Sequence, residues 1–368
     1  MFNVQPIPLS TYVGFATSLL MAVVLVMTKR WHGRYSLDSS QGVQKVHSIP
    51  TPRVGGIAIM VGVMAAYAVA RPERQVILAP LMLSGLPAFL FGLAEDLTKK
   101  VSVLARLLAT MLSGVVGWFI TGYALSSLDI PGLDHLLRIT GFSVMFTAFA
   151  IGGVANAINI IDGFNGLASG FVTLALVALG FMAMSVGDIN LAFACFAVAA
   201  ACLGFFVVNW PWGKLFLGDG GSYFAGFALA WAAVLLVERN NSITPFAALL
   251  VCIHPITEVL FSIYRRRLRH APPGEPDRLH LHSLVMRRKI RKRNAHGRWV
   301  GNSTTGVLLV GMSVPSVLAA YVLRHSPMAA AMTCVLFMLG YVTLYARLVR
   351  FKWCSPLYFL LRKSESNG

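Results

Sequence analysis

Only 14 of the 368 residues are acidic, and several of them stand in short polar breaks between long apolar runs. Glu95 and Asp96 are adjacent and are followed by Lys99 and Lys100. Two carboxylates side by side near hydrocarbon are costly unless a cation answers them. Metal binding or proton abstraction from a phosphate would explain the pair. A helix end with local pairing to Lys99 would explain it equally well. Asn156, Asn159 and Asp162 recur every third residue, which places them on one broad helix face. Gly163 follows and breaks the helix, and Asn165 is expected to cap the next one. Asp is a hard oxygen donor suited to Mg²⁺, an ion that keeps waters and phosphate oxygens as its other ligands. Polar side chains gluing helices together would account for the asparagines, but not for an Asp beside Gly.

Three further segments add cations and close backbone. Lys45, His47 and Arg53 surround Pro50 and Pro52 ahead of Gly55-Gly56. As a group they suit a phosphate, whereas Arg53 alone reads as a residue flanking a span. Gly218-Asp219-Gly220-Gly221-Ser222 permits close approach of a ligand to the backbone, with Ser222 as the expected N-cap of the following helix. A tight turn is the plainer reading, and the Walker A pattern is absent. Asp277, Arg278, His280 and His282 follow a run rich in proline and glycine. If that segment is extended, the two histidines point the same way. They are too few for a zinc site. His254, beside Pro255 in an apolar run, reads as a core histidine satisfied by hydrogen bonds.

The elements that must position these groups are apolar. Hydrophobic residues make up 57% of the chain and charged residues 12%, about half the charge of a soluble protein. Runs of the length that crosses about 30 Å of hydrocarbon recur throughout. The chain therefore reads as an all-α polytopic membrane protein in a single domain over residues 1–368. About 11 spans are expected, near 12–28, 55–70, 76–93, 103–121, 141–157, 166–186, 189–208, 223–237, 244–264, 304–323 and 328–346. With the N-terminus outside and the C-terminus in the cytosol, 26 of the 31 Lys and Arg residues fall in inside loops, a strong positive-inside bias. All the motifs then face the cytosol. The first span lacks a preceding basic residue and a cleavage site, and is expected to be retained.

The basic loop at 265–303, which carries the histidines, explains much of the net charge of +17. Its Arg287 to Arg293 run resembles a nucleic-acid patch. In a membrane protein it is better read as holding topology near anionic headgroups, so no nucleic-acid partner is expected. The five cysteines are scattered without a Cys-x-x-Cys pair and read as small buried apolar residues.

Taken in order from Lys45 to His282, these motifs resemble the polyprenyl-phosphate N-acetylhexosamine-1-phosphate transferases. That family includes the initiators of bacterial O-antigen, common-antigen and teichoic acid synthesis, and the translocase that makes lipid I. The resemblance implies that Glu95 and Asp96 match the family's paired aspartates, with Lys99 at a lysine found in some members. Asn156, Asn159 and Asp162 match an Asn-x-x-Asn-x-x-Asp-Gly segment whose Asp binds Mg²⁺, with Mn²⁺ an admissible substitute. Asp219 matches a Gly-Asp-x-Gly-Ser aspartate, and His280 and His282 a cytosolic histidine motif. Two departures stand out: Glu95 replaces an Asp, and Ser283 stands where another His is common. The Asp277 to His282 stretch is closer to the O-antigen and teichoic acid initiators than to the translocase.

The activity implied is transfer of an N-acetylhexosamine-1-phosphate from a UDP-sugar to undecaprenyl phosphate, releasing UMP, at the cytosolic face of the bacterial inner membrane and at the start of an O-antigen-like polysaccharide. Asp96, with Glu95, is expected to orient or deprotonate the acceptor for direct attack, with a covalent phospho-Asp intermediate as the rival. Lys45, His47, Lys99, Asn156, Asn159, Asp219, Arg278, His280 and His282 are expected to bind substrate. The sugar is not legible, and the sequence admits a homodimer. The competing classes are a secondary transporter of an anionic solute, whose charges should lie near mid-bilayer in related halves, and a scaffold, which leaves Asp162 unexplained.

Overall fold

The computed structural model describes residues 7–38, 50–268, 279–290 and 298–350. Lys45, His47, Asp277, Arg278 and Cys354 lie outside them. The described chain is helical apart from one antiparallel pairing of Leu37–Asp38 (β1) with Thr51–Pro52 (β2). The helices are α1 (Leu9–Met27), α2 (Lys29–Ser36), α3 (Gly55–Ala68), α4 (Pro72–Thr98), α5 (Val103–Thr121), α6 (Pro131–Leu137) and α7 (Thr140–Ile161). They continue with α8 (Leu167–Ser185), α9 (Ile189–Asn209), α10 (Gly218–Arg239), α11 (Pro245–Leu268), α12 (Leu281–Val285), α13 (Arg298–Val322) and α14 (Pro327–Val349). A π-helical turn, Met286–Ile290, extends α12.

Ten of these helices are long and apolar enough to cross a membrane, and each coincides with an expected span. The exception is the span expected at 55–70. Helix α3 has 14 residues, about 21 Å of rise, short of the roughly 30 Å hydrocarbon layer. Burial is what permits the short length. Gly62 of α3 faces Ser18 and Gly14 of α1 and Ala201 of α9, so α3 is shielded from lipid by its neighbours. It still delivers the chain to the opposite end of the bundle. There Arg74 lies 4.2 Å over the ring of Phe193, near the start of α9.

Helix α10 is the axis of the bundle. Tyr223, Phe224, Phe227 and Trp231 are fully buried along it, and it packs against α3, α4, α5, α7 and α8. In a membrane, helix association comes from close packing rather than from expelling water, so interfaces favour small residues. Gly92 of α4 shows how close the approach is. A methyl group there would meet the Asp219 carbonyl and the Gly220 nitrogen at 2.6 Å, and backbone atoms cannot step aside.

The helix ends sort into two groups. The ends carrying the sequence motifs gather around the start of α10, as described below. At the other end, Ser126 binds Glu238, Thr244 donates to Asp129, and Arg239 pairs with Asp188. The four described cysteines are all buried and free, and His254 hydrogen-bonds Ser313 at 2.7 Å, as the sequence suggested.

Gly92→Ala is expected to lower the thermal midpoint in detergent, an overpacking cost of about 1–3 kcal/mol. Gly153→Ala, where a methyl group meets nothing within 4 Å, serves as the control and is expected to leave the midpoint unchanged. Equal midpoints for the two variants would contradict the close α4–α10 contact.

Candidate active site

Two extended loops assemble the entrance to α10. The Phe216 amide donates to the Pro52 carbonyl, and the amides of Gly55 and Gly56 donate to the carbonyls of Phe216 and Leu217. Arg53 is thereby laid against the first turn of α10. Gly218 adopts a left-handed φ of +74°, and a side chain there would strike both the Arg53 carbonyl and the Asp96 carboxylate. Glycine is required at that corner on both counts. The helix begins at Gly218, four residues ahead of Ser222. Ser222 is therefore not the N-cap; its hydroxyl donates to Asn159 at 2.7 Å.

The carboxylate of Asp96 takes over the capping role from another helix. It is 1% exposed and accepts the amide hydrogens of Asp219 and Gly220, both at 2.9 Å. Those amides form the positive end of α10. Arg53 approaches Asp96 to 3.7 Å. The base expected from the sequence is thus a buried carboxylate already holding two donors. Glu95 accepts the Val101 amide at 2.8 Å, and Lys99, in the left-handed conformation that ends α4, donates to the Asp96 carbonyl.

Asp219 sits between two guanidinium groups. Arg53 donates to one oxygen at 3.0 Å, and Arg106 of α5 pairs with the other. Arg53 is therefore part of the site rather than a mere flank, a correction that comes from how the loop is pinned. Arg106 had no motif to announce it.

Helix α7 joins from the side. Asn156 accepts from the Tyr223 hydroxyl at 3.1 Å, so its asparagines dock onto α10 through the face that their spacing predicted. Asp162 is the C-cap residue of α7. No hydrogen bond from the described residues reaches its carboxylate. Burial pushes its carboxyl well above the usual carboxylate range; Arg53 opposes the shift and Asp96 adds to it. Asn165 does not cap α8, whose first turn is preceded by Gly166 in a left-handed conformation. Instead it donates to the Pro211 carbonyl, and its amide donates to Asn302 at 2.7 Å, tying the turn to α13.

The histidines arrive on α12. A methyl group at Gly163 would lie 3.4 Å from Nε2 of His282, so His282 stands over the turn that carries Asp162. The His280 and His282 rings stack with centroids 5.2 Å apart. His280 is held by Glu258 of α11, Nδ1 to Oε1, at 2.9 Å. Glu258 and Arg106 are the site residues that the motifs missed. A lone charged residue within an apolar helix was the available signal.

The arrangement can take a divalent cation at Asp162. A hard carboxylate oxygen, half-buried and without a described protein donor, suits Mg²⁺. Among the described residues no three His, Cys, Asp or Glu side chains converge to form a closed metal cage. The remaining ligands would be waters and phosphate oxygens, the usual Mg²⁺ arrangement.

Residues 78–237 match the family described as Glycosyl transferase family 4. The chain is 29% identical over 282 residues to the probable undecaprenyl-phosphate N-acetylglucosaminyl 1-phosphate transferase of Bacillus subtilis (strain 168), covering 74% of this chain and 76% of the relative. It is 29% identical to the undecaprenyl-phosphate alpha-N-acetylglucosaminyl 1-phosphate transferase of Yersinia pestis, over 71% of this chain and 73% of the relative. For the protein of that name from Escherichia coli (strain K12), the identity is 27%, over 75% and 76%. The comparisons lend no support to a transporter.

The side chains of Arg106 and Asp219 are 10% and 8% exposed, so their pairing is barely screened. Removing one partner of a buried pair costs about 3–5 kcal/mol. Arg106→Ala is expected to lower the thermal midpoint. The double variant Arg106→Ala/Asp219→Asn is expected to recover part of the loss, because the buried carboxylate oxygen that Arg106 answered is then gone, while Arg53 keeps Asp96 as its partner. A double variant less stable than the single one would show that charge pairing is not what Arg106 supplies.

Proposed function

We propose that this chain is a polyprenyl-phosphate N-acetylhexosamine-1-phosphate transferase of glycosyl transferase family 4, and that it transfers N-acetylglucosamine-1-phosphate from the UDP-sugar to undecaprenyl phosphate, releasing UMP. The choice of sugar follows the names of the relatives. The observation that carries the reading is the meeting of Asp162, the Asp96–Arg53–Asp219–Arg106 cluster and His282 at one end of the bundle. Such a site can be reached by a soluble nucleotide sugar and by a phosphate anchored at the membrane surface. The positive-inside bias supports a cytosolic orientation of this end, which the proposal sets in a bacterial inner membrane and at the start of a surface polysaccharide.

In the reaction, an oxygen of the acceptor phosphate forms a bond to the β-phosphorus of the donor, and the bond from that phosphorus to the UMP oxygen breaks. Phosphoryl transfer asks the protein mainly for alignment and charge neutralisation. Asp162 would hold Mg²⁺, which supplies neutralisation of the pyrophosphate charge. Arg53, set by Asp96 and Asp219, keeps a positive charge beside that position. Asn156 and Asn159 hold α7, and with it Asp162, against α10. Direct attack is favoured over a phospho-Asp intermediate because Asp96 and Asp219 already accept hydrogen bonds from amides and guanidinium groups. Neither is an open nucleophile. Lys45, His47 and Arg278 remain proposed phosphate contacts, on the strength of their motifs.

Purified protein with undecaprenyl phosphate and Mg²⁺ is expected to release UMP from UDP-N-acetylglucosamine. Asp162→Asn is expected to reduce turnover by about a thousandfold or more, the scale of lost metal-ion catalysis, with an unchanged thermal midpoint. A wild-type protein inactive with this donor, its N-acetylgalactosamine isomer and 6-deoxy amino-sugar donors would sink the transferase reading. Chelation by EDTA is expected to abolish UMP release and excess Mg²⁺ to restore it; full activity in EDTA would remove the metal from the reaction.

A further inference from the structure

Glu258 lies inside α11, 2% exposed, within a helix whose apolar stretch crosses the bundle. A lone carboxylate at such a place is expensive unless its lone pairs are engaged. Three donors engage them. Oε1 receives Nδ1 of His280 at 2.9 Å and the amide of Leu281 at 3.0 Å. Oε2 receives the hydroxyl of Tyr341, from α14, at 2.7 Å. Arg265, about two helical turns further along α11, fastens the same segment by donating to the Leu279 carbonyl and the Tyr345 hydroxyl, each at 2.7 Å. The short segment 279–282 is therefore held at both its backbone and its first imidazole.

An ionised carboxylate can only accept. The hydrogen on the His280–Glu258 contact consequently belongs to Nδ1, and the proton that the imidazole gains or shares with a ligand is at Nε2. Orientation of one ring nitrogen by a carboxylate, so that the other meets the substrate, is a general device for histidines. The stacking of His280 on His282, and the closeness of the His282 ring to Gly163 beside Asp162, directs this pair to the phosphate-handling end of the bundle.

We propose that Glu258 is a positioning residue for the transfer reaction: through its contact with Nδ1 it fixes the tautomer and direction of His280, so that Nε2 is presented to substrate phosphate. The proposal rests on the transferase reading. A simpler role, in which Glu258 merely bolts α11 to α14 through Tyr341, predicts a different outcome in a mutant cycle.

The experiment uses the full chain in detergent or proteoliposomes, with UDP-N-acetylglucosamine, undecaprenyl phosphate and Mg²⁺, and compares wild type, Glu258→Gln, His280→Gln and the double variant. Gln keeps the shape and can still accept from Nδ1 while donating to Tyr341, so it tests the charge and the fixed tautomer. Glu258→Gln is expected to lower kcat about tenfold or more, with KM for the donor within about threefold. In the His280→Gln background the same change is expected to cost nothing further, since residues acting as a unit are not additive. A Glu258→Gln enzyme within about twofold of wild type, or a double variant that loses the product of both single effects, overturns the proposal. A wild-type enzyme that releases no UMP sinks the transferase reading instead. If Glu258→Gln does not fold, ¹⁵N NMR of histidine-labelled wild type, with the His280 signals identified by their loss in His280→Gln, decides the matter: a protonated Nδ1 is expected, and an unprotonated Nδ1 overturns the proposal.

Discussion

Charge at the edge of hydrocarbon persists only where another charge or a hydrogen bond answers it, and that constraint organises this protein around the first turn of α10. Asp96 from α4 takes the amides at the start of the helix, Asp219 from that same turn takes Arg53 and Arg106, and Arg53 leans back towards Asp96. Four separate stretches of chain are locked together by a few side chains. The tight backbone contacts of Gly92 and Gly218 exist because these groups must come within hydrogen-bond reach. Asp162 differs from the others in having no described donor, which is why the proposed cation is assigned to it.

Much of this was legible in the sequence where a signal was repeated or strongly physical. Long apolar runs set the helices, since hydropathy over about 20 residues leaves few alternatives. The three-residue spacing of Asn156, Asn159 and Asp162 gave the face that meets α10. The short α3 was read as a full span because hydropathy cannot see that neighbouring helices, rather than lipid, surround it. The two caps were misassigned for a related reason. Ser222 and Asn165 have the chemistry of local caps, yet both hydrogen-bond across to other helices, and a local rule has no access to those partners.

Arg106 and Glu258 mark the other limit. Arg106 is the single charged residue of α5 and Glu258 the single acidic residue of α11, each without a motif around it. Arg53 had a neighbourhood but no visible partner. What these three share is that their role is defined by a residue far away in the chain: Asp219 for the two arginines, and His280 for Glu258. The intrahelical position of Arg106 and Glu258 was a warning that something had to compensate them, but the sequence names no compensator. The histidines, in contrast, were found by type and spacing, while the device holding them was not.

That device has a consequence for the order of assembly. Asp96, Arg106 and Asp219 all precede residue 220, whereas Glu258, Arg265, Tyr341 and Tyr345 come later. During synthesis the acidic and arginine-lined centre can therefore form while the ribosome is still translating the remainder. The imidazoles acquire their fixed attitude only when α14, the last described helix, has inserted and brought its two tyrosines alongside. A nascent chain can thus already possess its arginine-lined centre and remain chemically unfinished until α14 has left the translocon.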